Sequence, residues 1–169
     1  MRYADCPTVE AEVHIAAPPA RVWPLVRDIE VVADTSEELQ EAQWLPSPEG
    51  PADGDAPAVG HRFRGRNSHP QAGDWETVST VIECDEERRF SWAVMDTANP
   101  TATWLFTLTP VEGGTELRQW ARMGPGPSNL NKVIDTMPDK EERIVAGRLR
   151  EWQASIERTL AGIKERAEA

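Results

Sequence analysis

Few side chains in this sequence are equipped for covalent or metal chemistry. There are three histidines and two cysteines. His14 alternates outward with Glu10 and Glu12, while His61 and His69 stand about 26 Å apart along one extended run at roughly 3.3 Å per residue, too far to share a metal. Cys6 and Cys84 form no CxxC pair, and Cys84, with no motif around it, reads as a structural thiol. GxSxG, HExxH, P-loop and GxGxxG patterns are absent. No metal site and no cofactor are therefore expected. The polar residue that stands out is embedded among apolar ones. In TWLFTLTPVEGGTELRQWARM, residues 103 to 123, Trp104, Phe106 and Leu108 share one face of a strand, and Leu117, Ala121 and Met123 share a face with the uncharged Gln119. Glu116, Arg118 and Arg122 take the other face. An amide in an aromatic wall can orient a bound molecule or satisfy backbone nearby.

A second patterned group is the run Arg62, Arg64, Arg66, spaced by two opposite Phe63, Gly65 and Asn67. Spacing of this kind describes a solvated outer face pairing with neighbouring carboxylates. The alternative is a docking patch for phosphate or for an acidic acyl carrier protein. The net charge of −11 argues against nucleic acid or an anionic membrane as the main partner, since both reward clustered cations. Residues 139 to 169 hold seven acidic and seven basic side chains, so the whole imbalance lies before them. A neutral or apolar ligand fits better. Seven Trp against one Tyr and three Phe put large flat apolar surfaces somewhere in the molecule.

These residues must be held by one scaffold. At 169 residues the chain suits a single domain over residues 1 to 169, long enough for a core without metals or disulfides. No run approaches the roughly 18 apolar residues of a membrane span, and the N-terminus shows no signal-like stretch. With the sparse cysteines, the expectation is a soluble, cytoplasmic protein. TVEAEVHIA alternates as a half-buried strand, and PPARVWPLVRDIEVVAD spaces Val22, Val26 and Ile29 helically, with Pro24 compatible only with a short or kinked helix. SEELQEAQWL reads as a strand, and residues 47 to 57, rich in Pro, Gly and Asp, as a loop. VGHRFRGRNSH is extended; WETVSTVIECDEERRFSWAVMD is two strands about Asp85 to Glu87, with the inward face of residues 75 to 84 left open. SNLNKVIDTMP places Leu130, Val133, Ile134 and Met137 at helical spacing behind Ser128, a short helix that could serve as a lid. From Asp139 onward Val145, Leu149, Trp152, Ile156, Leu160 and Ile163 mark one amphipathic helix of roughly 28 residues, about 42 Å long.

Taken together, VEAEVHIAAPPARVWPLVRDI, VGHRFRGRN, FTLTPVEGGTELRQWARM and the terminal helix resemble the START-like, polyketide cyclase and dehydrase superfamily with its helix-grip fold. The resemblance implies an α+β domain, a curved antiparallel sheet of about seven strands wrapped around the long C-terminal helix, with one or two short helices after the first strand. It implies a cavity between sheet and helix for a hydrophobic, lipid- or polyketide-like molecule. Phe63, Trp92, Trp104, Phe106 and Met123 from the sheet would wall it, with Leu149, Trp152 and Ile156 from the last helix and Leu130 and Ile134 from the lid. Asn67, His69 and Gln119 would orient the ligand. The enzymatic alternative is a cofactor-independent polyketide cyclase or dehydratase, in which His69 acts as base, Asn67 or Gln119 polarises a carbonyl, and Glu76 or Asp96 assists near strand ends. A third alternative is an adaptor that uses the fold as a scaffold. A monomer or homodimer is expected.

Overall fold

The computed structural model describes residues 1–46 and 57–169; the loop expected over 47 to 57 lies outside the described residues, save for Pro57. Alternation governs the first element. In β1 (Thr8–Ile15) Val9, Ala11, Val13 and Ile15 turn inward, Ile15 completely buried. The two prolines that follow end the strand and start α1 (Pro19–Val26), with Pro19 in the first turn, where a missing N–H costs nothing. Pro24 keeps α1 short. Asp28 then opens α2 (Ile29–Thr35) by accepting the Glu30 N–H at 3.0 Å. Val22, Trp23, Val26 and Ile29 from this pair are buried.

Six more strands complete the sheet: β2 (Leu39–Trp44), β3 (Arg62–His69), β4 (Gly73–Asp85), β5 (Arg89–Val94), β6 (Ala102–Val111) and β7 (Gly114–Met123). Their order is β1-β7-β6-β5-β4-β3-β2, antiparallel throughout. Gly114 is required where β7 begins: a Cβ there would lie 1.9 Å from the Ile15 carbonyl oxygen, at φ +155°. A bulge at Ile82 in β4 resets its alternation. Trp75, Thr77, Ser79 and Val81 face inward before it, and beyond it Cys84 is brought back to the Phe90 side.

After β7, Ser128 caps α3 (Asn129–Thr136), its Oγ accepting the Leu130 N–H, while Asn131 Oδ1 accepts the Ser128 N–H at 2.8 Å. A 3₁₀ turn (Pro138–Lys140) leads into α4 (Glu141–Glu168), 28 residues long. α4 lies across the concave face and packs chiefly on β1, with α1 and α2 against its C-terminal half. Gly162 lets α2 approach, since a Cβ there would meet Thr35 Cγ2 at 2.4 Å. This is the helix-grip architecture. No helix among the described residues is long and apolar enough to cross a membrane.

The apolar interior divides into two clusters. The larger joins α1, α2, the sheet and Ile156, Leu160 and Ile163 of α4; the smaller joins Tyr3, Met123, Ile134 and Val145, with Leu149 alongside. Trp152 packs against both. Between them the sheet and α4 stand apart except where Trp104 meets Trp152.

Candidate functional site

The gap is a cavity of about 880 Å³. Strand alternation sends to it Phe63, Asn67 and His69 from β3, Trp75, Thr77 and Ser79 from β4, Trp92 from β5, Trp104 from β6, and Gln119 and Met123 from β7. Arg148, Glu151 and Trp152 face it from α4. Leu130, Val133 and Met137 line it from α3 and its end, with Val133 43% and Met137 37% exposed. α3 therefore presents apolar side chains to the rim without sealing it.

The aromatic wall is continuous. Trp104 and Trp152 join sheet to helix at 4.9 Å between ring centroids, Trp92 and Trp104 stack at 6.4 Å and 17°, and Phe63 meets Trp92 edge-on at 5.9 Å. Offset and edge-to-face contacts of this kind hold the rings in fixed orientation. A surface so built favours flat or extended apolar molecules through burial alone.

Among the polar side chains on that wall, which include Thr77 and Ser79, are the three expected from the sequence. Gln119 is only 2% exposed, and its Oε1 has no hydrogen-bond partner among the described residues. Asn67 donates from its amide nitrogen to the Trp75 carbonyl at 3.4 Å and to Thr77 Oγ1 at 3.3 Å. His69 accepts the Gln71 N–H at Nδ1, 3.1 Å, which leaves its Nε2–H to donate to Glu151 at 3.1 Å. Both imidazole nitrogens are thus engaged, and neither turns a lone pair to the cavity.

Glu151 belongs to a larger network that the apolar pattern of the sequence does not reveal. Arg148 Nη1 donates to Glu38 Oε2 at 2.8 Å and to Glu151 Oε2 at 2.7 Å, and Nη2 donates to Glu38 Oε1 at 2.6 Å. The Arg148 side chain is 18% exposed and lies over the Trp152 ring, 5.9 Å from its centroid. Burial pulls the guanidinium pKa down, but the hydrogen bonds and charges of Glu38 and Glu151 outweigh it, and it rises above the ordinary arginine value. The signal was available. Arg148 stands three residues after Val145 and four before Trp152, on the apolar stripe itself.

Several expected wall residues lie elsewhere. Phe106 is fully buried against Trp92 (6.0 Å), because its position along β6 falls within the larger core cluster. Ile156 is core for the same reason, being one turn beyond Trp152 on α4. Ile134 and Leu149 join the smaller cluster instead, each turned to the Tyr3, Met123 and Val145 packing. Glu76 alternates to the outer face, 4.0 Å from Arg64, and Asp96 is exposed after β5, where its Oδ1 accepts the Ala98 N–H. Neither carboxylate reaches the cavity. In the arginine run, Arg66 pairs with Glu41 at 2.9 Å and Arg64 lies beside Glu76, as on a solvated face. Trp75, Thr77 and Ser79, whose orientation the sequence left open, are the wall residues added by β4.

A profile described as polyketide cyclase / dehydrase and lipid transport matches residues 7–168. The chain belongs to this family. The family's span takes in every strand, α3, α4 and the cavity they enclose. Among solved structures, the Polyketide_cyc-like protein Cgl2372 from Corynebacterium glutamicum is 31% identical over 93% of this chain and 88% of its own, with a TM-score of 0.61. TTHA0849 from Thermus thermophilus is 18% identical over 95% of this chain and 97% of its own, TM-score 0.64. The di-domain ARO/CYC BexL from the BE-7585A biosynthetic pathway is 15% identical over 96% of this chain and 50% of its own, TM-score 0.70. The last two show the shared fold. No curated protein matches the sequence.

Proposed function

We propose that this family member binds a hydrophobic small molecule, lipid- or polyketide-like, in the cavity between the sheet and α4. One observation carries the reading: about 880 Å³ walled by Trp75, Trp92, Trp104 and Trp152 in an otherwise packed interior. Interiors are close-packed, and a large apolar void forfeits dispersion contacts that a ligand would restore. Its volume falls in the range of small-molecule sites, and its few polar groups suit orientation of a ligand.

Native mass spectrometry of the purified protein tests this. A retained lipid or polyketide, or stoichiometric uptake of an added apolar ligand with quenching of tryptophan fluorescence, is the expected result. A protein that comes off empty and takes up no apolar probe refutes it.

Cyclisation of a bound poly-β-ketone stands second, favoured by Gln119 and Asn67 on one wall and by the ARO/CYC proteins among the structural neighbours. Proximity in a folded apolar chain would supply much of the rate. His69 would first have to release the Gln71 N–H from Nδ1, the nitrogen that carries its lone pair, to accept a proton. On this second reading, His69→Ala lowers turnover about a hundredfold with affinity little changed; on the first, the wild type binds and converts nothing.

A further inference from the structure

We propose that the cavity takes an apolar carbonyl compound oxygen first, with the Gln119 amide nitrogen donating to the carbonyl deep in the cavity and the apolar remainder of the ligand lying toward α3. The inference rests on the binding reading above and gives the ligand a chemical class and a direction.

Two independent observations carry it. The first is the Gln119 carboxamide, which lines the cavity from β7. Its Oε1 is sealed off without a partner, whereas its Nε2 is not sealed and has no hydrogen-bond partner among the described residues either. The side chains around it on the same face offer none: Phe106 and Ala11 stand opposite on β6 and β1, and Leu117 and Ala121 flank it on β7. Leucine would fill this place without stranding an amide. The one hydrogen bond left for the side chain to make with a ligand is one that it donates, and an acceptor on the ligand would relieve the buried N–H. Gln119 is 2% exposed, so the donor is recessed and a terminal acceptor reaches it best. A carbonyl oxygen is terminal and brings no proton of its own. A hydroxyl brings one, and the Oε1 beside Nε2 is sealed against it.

The second is where that donor lies. Met123, further along the same face of β7, packs with Ile134 of α3, so Gln119 stands about 13 Å from the α3 end of the cavity at roughly 3.3 Å per residue. Its own surroundings, Phe106, Leu117 and Ala121, belong to the larger cluster and are fully buried. The α3 end instead presents the apolar Leu130, Val133 and Met137. A molecule bound with its carbonyl beneath α3 would leave Gln119 unpaired. The reverse setting puts the carbonyl on Gln119, the rings along Trp104 and Trp152, and the apolar end against α3.

The test is a matched series: naphthalene, 2-naphthol, 2-acetylnaphthalene and 2-isopropenylnaphthalene, the last replacing the ketone oxygen by a methylene of nearly the same shape. Tryptophan quenching and calorimetry give the dissociation constants. We expect the ketone to bind about five- to tenfold more tightly than the alkene, in keeping with one net hydrogen bond, and more tightly than 2-naphthol. Isotope-edited infrared spectra of the bound ketone should show its carbonyl stretch below the position it takes in an alkane solvent. Gln119→Leu should return the stretch to that position and erase the ketone's advantage while the alkene still binds. Two isomers test the direction: 2-pentanoylnaphthalene lengthens the chain at the carbonyl, and 6-propyl-2-acetylnaphthalene lengthens the far end. We expect the second to bind more tightly by about fivefold or more, since extra carbons beside Gln119 would press on packed core.

Equal affinity for ketone and alkene, or a carbonyl stretch in the wild type at its alkane position, would overturn the carbonyl assignment. A ketone advantage that survived Gln119→Leu would take the role from Gln119, and equal affinity for the two isomers would overturn the direction. All of these results would leave the binding reading intact. If none of the compounds bound, the binding reading itself would fail. The wild-type measurements decide the matter even should the variant not fold.

Discussion

A tryptophan can be core or cavity wall, and the difference is energetic. Trp152 packs one face on Trp104 and carries Arg148 above it, while the rest of the side chain borders the cavity and is half-buried. Ile156, one turn further on, is 1% exposed with atoms on every side. We expect Ile156→Ala to cost about 3 kcal/mol in urea unfolding, as removal of a core side chain does. Trp152→Ala should cost about 1–2 kcal/mol, below the usual core value for Trp, because much of its contact area faces the void. It should also weaken uptake of apolar probes. A Trp152→Ala loss as large as that of a buried core Trp, with unchanged binding, would make Trp152 core and move the wall elsewhere. At this scale the sequence was legible as to face but not as to depth. Alternation places Trp104 and Phe106 on one side of β6, yet only the packing of α4 decides that the first borders a void and the second does not. Arg148 escaped notice because a helical stripe is read through its apolar members, and a guanidinium within it acquires meaning only once Glu38, distant in sequence, is brought beside it.

Element boundaries followed from local chemistry, since prolines, caps and changes of period act within a few residues. The proline-bounded α1, the Ser128 cap of α3 and the long stripe of α4 were all readable for that reason. The facing of β4 was not, because Trp75, Thr77 and Ser79 alternate with Glu76, Val78 and Thr80 in a pattern both faces tolerate, and the bulge at Ile82 inverts it before Cys84. The end of α4 is held to β1 by contacts between residues far apart in sequence. Glu168 accepts from Lys164 at 2.7 Å and from the Ala16 N–H at 2.8 Å, and Lys164 also donates to the His14 carbonyl at 2.7 Å. The Lys164 hydrogen bond, then the Ala16 N–H, lower the Glu168 carboxyl pKa below its ordinary value. A depressed carboxylate contributes stability that is full above its unfolded pKa, about 4.3, and is lost as pH falls through the folded value. The melting temperature of the wild type should therefore exceed that of Glu168→Gln at neutral pH by a small margin that salt reduces. The margin should shrink below about pH 4 and close in stronger acid. A margin independent of pH would assign the effect of Glu168 to packing.

For the molecule as a whole, the sheet and α4 share two packed clusters with a void between them, so stability and ligand occupancy are one equilibrium. A compound that binds the folded cavity and not the unfolded chain must raise the unfolding free energy by RT ln(1 + [L]/Kd), about 2.7 kcal/mol at a hundredfold excess over Kd. For a chain of this size each kcal/mol moves the midpoint by about 2–4 °C, so the shift should be about 5–10 °C. The dependence on concentration is the diagnostic feature. Above Kd the midpoint should climb by equal steps for each tenfold increase in ligand, without levelling, because occupancy of the folded state is already full while the ratio of folded to unfolded chain keeps growing. A ligand adhering to the exposed Val133 and Met137 at the rim would instead find similar apolar surface on the unfolded chain and stabilise little. Scanning calorimetry with 2-naphthol across several decades up to its solubility limit separates the two, and a midpoint that stays flat while tryptophan quenching saturates would place the compound outside the cavity.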